Sequence, residues 1–173
     1  MSRLIKIYTD GSSIGNPGPG GYGIVMLIDK EDYKKEFSQG FKLTTNNRME
    51  LLAVIIALEK IKIKNSNVNV YTDSKYVSDA VEKGWLFKWV KKDFKNKKNP
   101  DLWKRFLKIY PDHNIRFHWV KGHNNDFYNE RCDFLANLAA KNSKLIEDLG
   151  YNHNNNKPCI KYTYKYTCPS HFF

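Results

Sequence analysis

The amino-acid sequence predicts an α/β fold, a sheet with an antiparallel edge and helices against it. Three observations carry this. Three strand-like segments come first, joined by short links, as in an antiparallel meander. Two further strand-like segments each follow a stretch of helical periodicity. The resulting order, βββαβα…αβα, fills a chain of 173 residues, enough for one domain with its own core.

Each element has a local reason. Leu4–Asp10 alternates, with Ile5, Ile7 and Thr9 on one face and Lys6, Tyr8 and Asp10 on the other. Gly11–Gly21 reads as a Gly/Pro loop, Tyr22–Ile28 as an apolar strand and Tyr33–Leu43 as a third strand. Asn47–Lys62 is apolar around most of its circumference, so a central packing helix is expected, with Asn46 as its cap. Val68–Asp73 is the next strand, with Val68, Val70 and Thr72 sharing a face. Ser74–Lys83 and Pro100–Tyr110 read as helices, Ile115–Val120 as a short strand and Asn129–Lys144 as a final helix.

Composition bounds the function. Apolar residues at 41% and aromatics at 14% exclude a disordered chain. No apolar run approaches the roughly 18 residues of a membrane span. The start, MSRLIKIYTD, alternates instead of forming a signal-peptide apolar region. The three cysteines, Cys132, Cys159 and Cys168, make no disulfide framework, so a cytoplasmic protein is expected. Lys+Arg 29 against Asp+Glu 18 leaves a net charge of +11, which suits a polyanionic partner. Lys83–Lys98 (KGWLFKWVKKDFKNKK) alone holds seven lysines and one acid. A solvated lysine-rich face is the plain alternative for that run.

Gly18-x-Gly20-x-x-Gly23 matches a dinucleotide fingerprint on paper. That motif needs a helix after it, and here a strand follows, with Pro17 and Pro19 suited to turns. The more informative pattern is a near-repeat. Ile7-Tyr8-Thr9-Asp10-Gly11 and Val70-Tyr71-Thr72-Asp73-Ser74 each end an apolar strand in an aspartate. On neighbouring strands about 4.8 Å apart the two carboxylates would face each other and repel, unless a cation lay between them. Mg²⁺ takes such oxygen ligands. Capping of the next element is the alternative for either residue alone. Glu50 and Asp133 stand near the starts of two helices, where the helix dipole also favours acids. Two ions held ~3.5–4 Å apart by acids of this kind form a clamp for phosphoryl transfer.

The successive segments TDGSSIGNPGPGGYG, TTNNRMELLAVIIALE, VYTDSKYV, HWVKGHNN and NERCDFLANLAA resemble, in order, the signatures of bacterial-type ribonuclease H, type 1. The resemblance runs from about Leu4 to about Tyr151. It implies a five-stranded mixed sheet, three antiparallel strands then parallel ones, flanked by helices. It implies endonucleolytic hydrolysis of the RNA strand of RNA–DNA hybrids with Mg²⁺ or Mn²⁺, leaving 3′-hydroxyl and 5′-phosphate ends. The family's metal-binding acids fall on Asp10, Glu50, Asp73 and Asp133, and its mobile-loop histidine on His123. Asp10 is expected to bridge two ions, Glu50 and Asp73 to complete one position and Asp133 the other. His123 can carry a proton to the leaving group.

Substrate contacts follow from the same resemblance. Asn16, Asn46 and Asn47 are candidate readers of the 2′-hydroxyl, since amides both donate and accept. Asn16 and Thr45 would form a phosphate pocket, with Arg48 in support. Lys75 departs from the glutamine usual after T-D-S. The basic stretch, with Trp85, Trp89 and Phe94 interleaved with Lys91, Lys92, Lys95, Lys97 and Lys98, resembles the family's DNA-gripping handle. It is several residues short, and Phe94 stands where tryptophan is common. Packing on a helix is the alternative for Trp85 and Trp89, spaced i, i+4.

Residues 1–151 are expected to form one catalytic domain, with the handle at about 83–100. Residues 152–173 are expected to be a partly ordered extension without a domain of its own. There Ile160, Tyr162, Tyr164 and Tyr166 alternate with polar residues like an edge strand, and His153, Cys159, Cys168 and His171 match no common zinc spacing. The expected partner is a hybrid duplex, bound by a monomer with no membrane and no obligatory protein partner. Two other readings compete. One is a catalytically silent hybrid-binding module, which would tolerate losing an acid. The other is a DDE-type strand-transfer enzyme of related fold, which would lack NNRME and the handle.

Overall fold

The computed structural model describes residues 4–28, 33–122 and 126–151. His123 and the whole of the 152–173 extension, with its cysteine, histidine and edge-strand expectations, lie outside the described residues. Five strands, β1 (Leu4–Ser13), β2 (Gly18–Ile28), β3 (Tyr33–Thr44), β4 (Asn67–Thr72) and β5 (Asn114–Trp119), form one sheet in the order β3-β2-β1-β4-β5. The first three are antiparallel, while β1–β4 and β4–β5 are parallel. This is the mixed sheet the sequence predicts. The helices are α1 (Asn46–Glu59), α2 (Lys75–Glu82), α3 (Trp85–Val90), α4 (Pro100–Ile109) and α5 (Phe127–Ala140).

The main core lies between α1 and the sheet, where Ile5, Ile7, Val68 and Val70 meet Leu51, Leu52, Val54 and Ile55. α1 is buried on nearly every side, Arg48 included, as its wrap-around apolar pattern requires. A smaller cluster on the opposite face joins Val25 and Leu27 to Cys132 and Leu135 of α5.

Several elements differ from expectation, α1 and α5 ending earlier, at Glu59 and Ala140, among them, and the following have a physical reason. The segment read as a Gly/Pro loop is mostly ladder, since Ser12 pairs with Gly21 and Ser13 with Gly20. Gly11, Gly20 and Gly21 are strand residues at which neighbouring elements come close, while Gly15, at φ 80°, stays in the bend between the strands. α1 begins at Asn46, with Thr45 as the N-cap residue and no side-chain cap of its own. α5 starts at Phe127 because the Asp126 carboxylate accepts from the Tyr128 and Asn129 amides (3.1 and 3.0 Å). Asp133 therefore sits in the second turn, beyond the reach of the helix-start dipole. The six-residue α3 was not expected as a helix. Gly84, at φ 67°, breaks it from α2.

Candidate active site

β1 runs through the middle of the sheet, with α1 on one side and α5 on the other. Two glycines let both helices come close to Asp10. A Cβ on Gly11 would run into the backbone of Met49 and Glu50. One on Gly23, the register partner of Asp10, would run into the Cys132 carbonyl. Glu50 and Asp133 are thus delivered from opposite layers, and Asp73 follows directly on the end of the adjacent strand β4.

Ligand oxygens of Asp10, Glu50 and Asp73 lie within 4.8 Å of one another. Asp10 is 7% exposed, and its Oδ1 accepts the Gly11 amide at 2.7 Å. Burial, and then the charges of Asp73, Asp133 and Glu50, push its carboxyl up to about 8. Burial, with Asp73 beside it, raises Glu50 to about 7. The Ser74 hydroxyl donates to Glu50 Oε2 and Asn46 Nδ2 to Oε1 (3.0 Å), which works against that rise and aims the carboxylate. A buried carboxylate crowded by other acids is costly as an anion, and a divalent cation relieves the crowding. The residues therefore fit a divalent cation, by geometry and by charge. Asp133 stands outside this three-acid group. Asn137 Nδ2 donates to its Oδ1 (2.7 Å), and the Ser12 hydroxyl donates to Asn137 Oδ1 (2.8 Å), tethering it to β1.

Ser12, Ser74 and Asn137 were not singled out from the sequence. The signal for Asn137 was its place one helical turn after Asp133, and for Ser74 its place directly after Asp73. Gly122, which directly precedes His123 in the sequence, abuts the Asp73 carboxylate.

The expected substrate residues divide. Asn16, Thr45, Asn46 and Asn47 gather at the start of α1, where the Asn46 amide donates to Asn16 Oδ1 (3.3 Å). Asn46 is therefore not the cap, and its side chain serves Glu50. Arg48 does not support a phosphate pocket. It is 2% exposed and engaged by Asp101 (2.9 Å) and Asp148 (2.8 Å). Burial works against its charge, but hydrogen bonds to Asp148 and Asp101 more than offset this and drive its pKa further up. Lys75 lies with its ammonium 4.7 Å from the Trp119 ring centroid. In the handle, Lys91, Lys92, Lys95 and Lys97 are exposed, and so is Trp85 (42%). Trp89 packs edge-on against Trp103 at 5.7 Å. Phe94 is 5% exposed and part of the core, so its ring anchors the turn and is not offered to nucleic acid.

The RNase H family model matches residues 2–141. Ribonuclease H of Trichodesmium erythraeum (strain IMS101) is 54% identical over 152 residues, covering 85% of this chain and 95% of its own length. That of Desulforamulus reducens (strain ATCC BAA-1160 / DSM 100696 / MI-1) is 56% identical over 152 residues, covering 85% and 94%. Among solved structures, LC9-RNase H1, a type 1 RNase H with the type 2 active-site motif, matches with TM-score 0.73 and 30% identity over 81% of this chain and 73% of its own. LC11-RNase H1 in complex with RNA/DNA hybrid matches with TM-score 0.59 and 30% identity over 79% and 96%. The family model spans most of the chain, and the two ribonucleases H are matched at 54% and 56% identity along nearly their whole length, so the chain belongs to the RNase H family.

Proposed function

We infer that the chain is a ribonuclease H that hydrolyses the RNA strand of RNA–DNA hybrids. We assign Asp10, Glu50, Asp73 and Asp133 to holding two Mg²⁺ ions, with Mn²⁺ able to substitute, and 3′-hydroxyl and 5′-phosphate ends to the products. The observation that carries the reading is the convergence of three carboxylates within 4.8 Å, one of them buried. A hybrid-binding module without chemistry has no use for so costly a cluster. When bound, such ions supply an activated water and neutralise charge on the leaving oxygen.

The chain's own residues supply orientation and proton transfer. Gly11, Ser74, Asn46 and Asn137 fix carboxylate oxygens by donating to them, so the acids are aimed before substrate arrives. His123, which follows Gly122 in the sequence, is assigned to donating a proton to the leaving 3′-oxygen. Asn16, Thr45, Asn46 and Asn47 at the start of α1 are assigned to the strands of the hybrid. Amides there tell ribose from deoxyribose through the 2′-hydroxyl. Among the described residues no helix is long and apolar enough to cross a membrane. We extend the reading to a monomer acting in the cytoplasm. Incubation with labelled hybrid, duplex RNA and duplex DNA, with and without Mg²⁺, tests the assignment. Metal-dependent cutting of the hybrid's RNA strand alone is expected, and metal-independent or indiscriminate cutting would overturn it.

The handle lysines should show themselves in salt dependence. Each phosphate they neutralise contributes about −0.7 to −0.9 to the slope of log K against log salt. Replacing Lys91, Lys92, Lys95 and Lys97 by alanine should flatten that slope by roughly 3 units. KM should rise, with kcat little changed. Titration of hybrid binding in Ca²⁺ across a salt series reads the slope. An unchanged value would return the run to a solvated face.

A further inference from the structure

Among the described residues, the face of the sheet that carries Asp10 is only partly covered. α5 packs on β1, β2 and β3. On β4 and β5 the side chains of the same face, Asn67, Asn69, Tyr71, Asn114, Arg116 and His118, are exposed or half-buried. The parallel register sorts this face into rows. Tyr8, Tyr71 and His118 are partners, and their rings stack, with centroids 4.6 Å apart at 12° and 4.9 Å apart at 19°. Tyr128 of α5 closes the Tyr8 end of the column at 5.0 Å. The other end, His118 on the edge strand, is exposed.

The next row is Lys6, Asn69 and Arg116, and the one after it Leu4, Asn67 and Asn114. Asn114 Nδ2 donates to Asn67 Oδ1 at 3.0 Å. Leu4, Asn67, Asn69, Asn114 and Arg116 line a shallow depression. These three rows hold no carboxylate. Asp10 lies two residues beyond Tyr8, and Asp73 two residues beyond Tyr71.

We propose that this face of β1, β4 and β5 binds a single-stranded extension of the RNA strand, with His118 as its stacking platform and Arg116 and Lys6 as its phosphate contacts. The proposal rests on the assignment of Asp10 and Asp73 to RNA-strand hydrolysis. The occupant follows from the chemistry. An exposed ring at the end of a stacked column accepts one unpaired base, whereas a duplex keeps its base faces stacked inside. Two cations whose rows hold no acid among the described residues complement phosphates, and the asparagine amides can both donate to and accept from base edges. The face is too polar to be an apolar protein-docking patch. It is continuous with the site, so a strand that leaves the hybrid at the acids meets it without a break.

The test compares a blunt hybrid with hybrids whose RNA strand carries an unpaired extension at its 5′ or its 3′ end. Binding in Ca²⁺ and cleavage in Mg²⁺ are measured on the full chain. One polarity of extension should tighten binding about 10-fold. His118→Ala should lose most of that gain. Arg116→Ala should lose several-fold and lower the salt slope for the extended substrate by about 0.7. Both side chains are at the exposed edge, and both variants should cleave blunt hybrid like the parent. No gain from either extension, an equal gain from an unpaired DNA strand, or equal weakening of blunt and extended substrates would each overturn the proposal. Failure of the parent to cleave blunt hybrid would instead overturn the hydrolase assignment, while the binding comparison in Ca²⁺ still tests this one.

Discussion

Asp10→Asn is expected to keep the fold and hybrid binding while cutting hydrolysis by ~10³-fold or more. The substitution keeps shape and removes one negative charge at the point where the acids converge, which is worth several kcal/mol in a site that depends on cations. His123→Ala should cost nearer ~10²-fold, since proton assistance is a smaller contribution than assembly of the site. Equal losses in single-turnover assays would contradict that division. The same aspartate variant carries a second signature, in stability. Asp10 titrates at about 8 in the folded chain, because burial and neighbouring acids penalise its anion. An unfolded aspartate titrates near ~3.9. A folded pKa above the unfolded one means that stability of the metal-free protein falls as pH rises from about 4 to about 8. The neutral asparagine escapes this loss. In chelator at pH 8, Asp10→Asn should melt several degrees above the parent, and the two should converge toward pH 4. A variant that melted below the parent at pH 8 would show that the carboxylate is not under electrostatic load.

Arg48→Met is expected to destabilise the chain by about 3–5 kcal/mol. Arg48 Nε and Nη2 donate to Asp148 and both Nη atoms to Asp101, with Nη1 also reaching Asn99. Asp148 also accepts from the Thr44 hydroxyl. Methionine fills much of the space but leaves two carboxylates, one nearly buried, without their cation. For a chain of this length the melting temperature should drop by roughly 10 °C. Adding Asp101→Asn and Asp148→Asn should restore part of the loss, because the uncompensated charges then go too. A loss below about 1 kcal/mol in urea titration would mean that solvent screens the set like a surface pair.

Much of the architecture was legible because it is written in local periodicity. The strand alternations at Leu4–Asp10 and Val68–Asp73 put the right residues on each face. The all-round apolar pattern of Asn47–Lys62 marked the central helix. Asp10, Glu50 and Asp73 are marked in the sequence by residue type and place, and the fold brings their carboxylates within 4.8 Å of one another. What escaped was non-local. Arg48 is polar and follows a stretch of asparagines, so it reads as a surface group. Only the folded chain brings it to Asp148, 100 residues away. Phe94 sits in a lysine run, yet the left-handed turn at Asp93 and Phe94 folds its ring inward. Asn46 has the chemistry of a cap, but Asn16, 30 residues earlier, accepts its amide instead. Ends of helices were misjudged wherever the capping group was a neighbour that the periodicity does not weigh, as at Asp126.

The four acids arise from β1, α1, β4 and α5, elements that lie on the sheet and on both of its sides. No subset of these elements that opens by itself can do so without taking an acid away. Undocking of α5 from β1–β3 would remove Asp133, and fraying at the start of α1 would remove Glu50. With the four acids in the roles proposed above, partly unfolded forms are expected to be silent. Residual hydrolysis on heating should track the globally native fraction, and amide exchange at Asp10 should have the opening energy of the whole molecule instead of that of a loop.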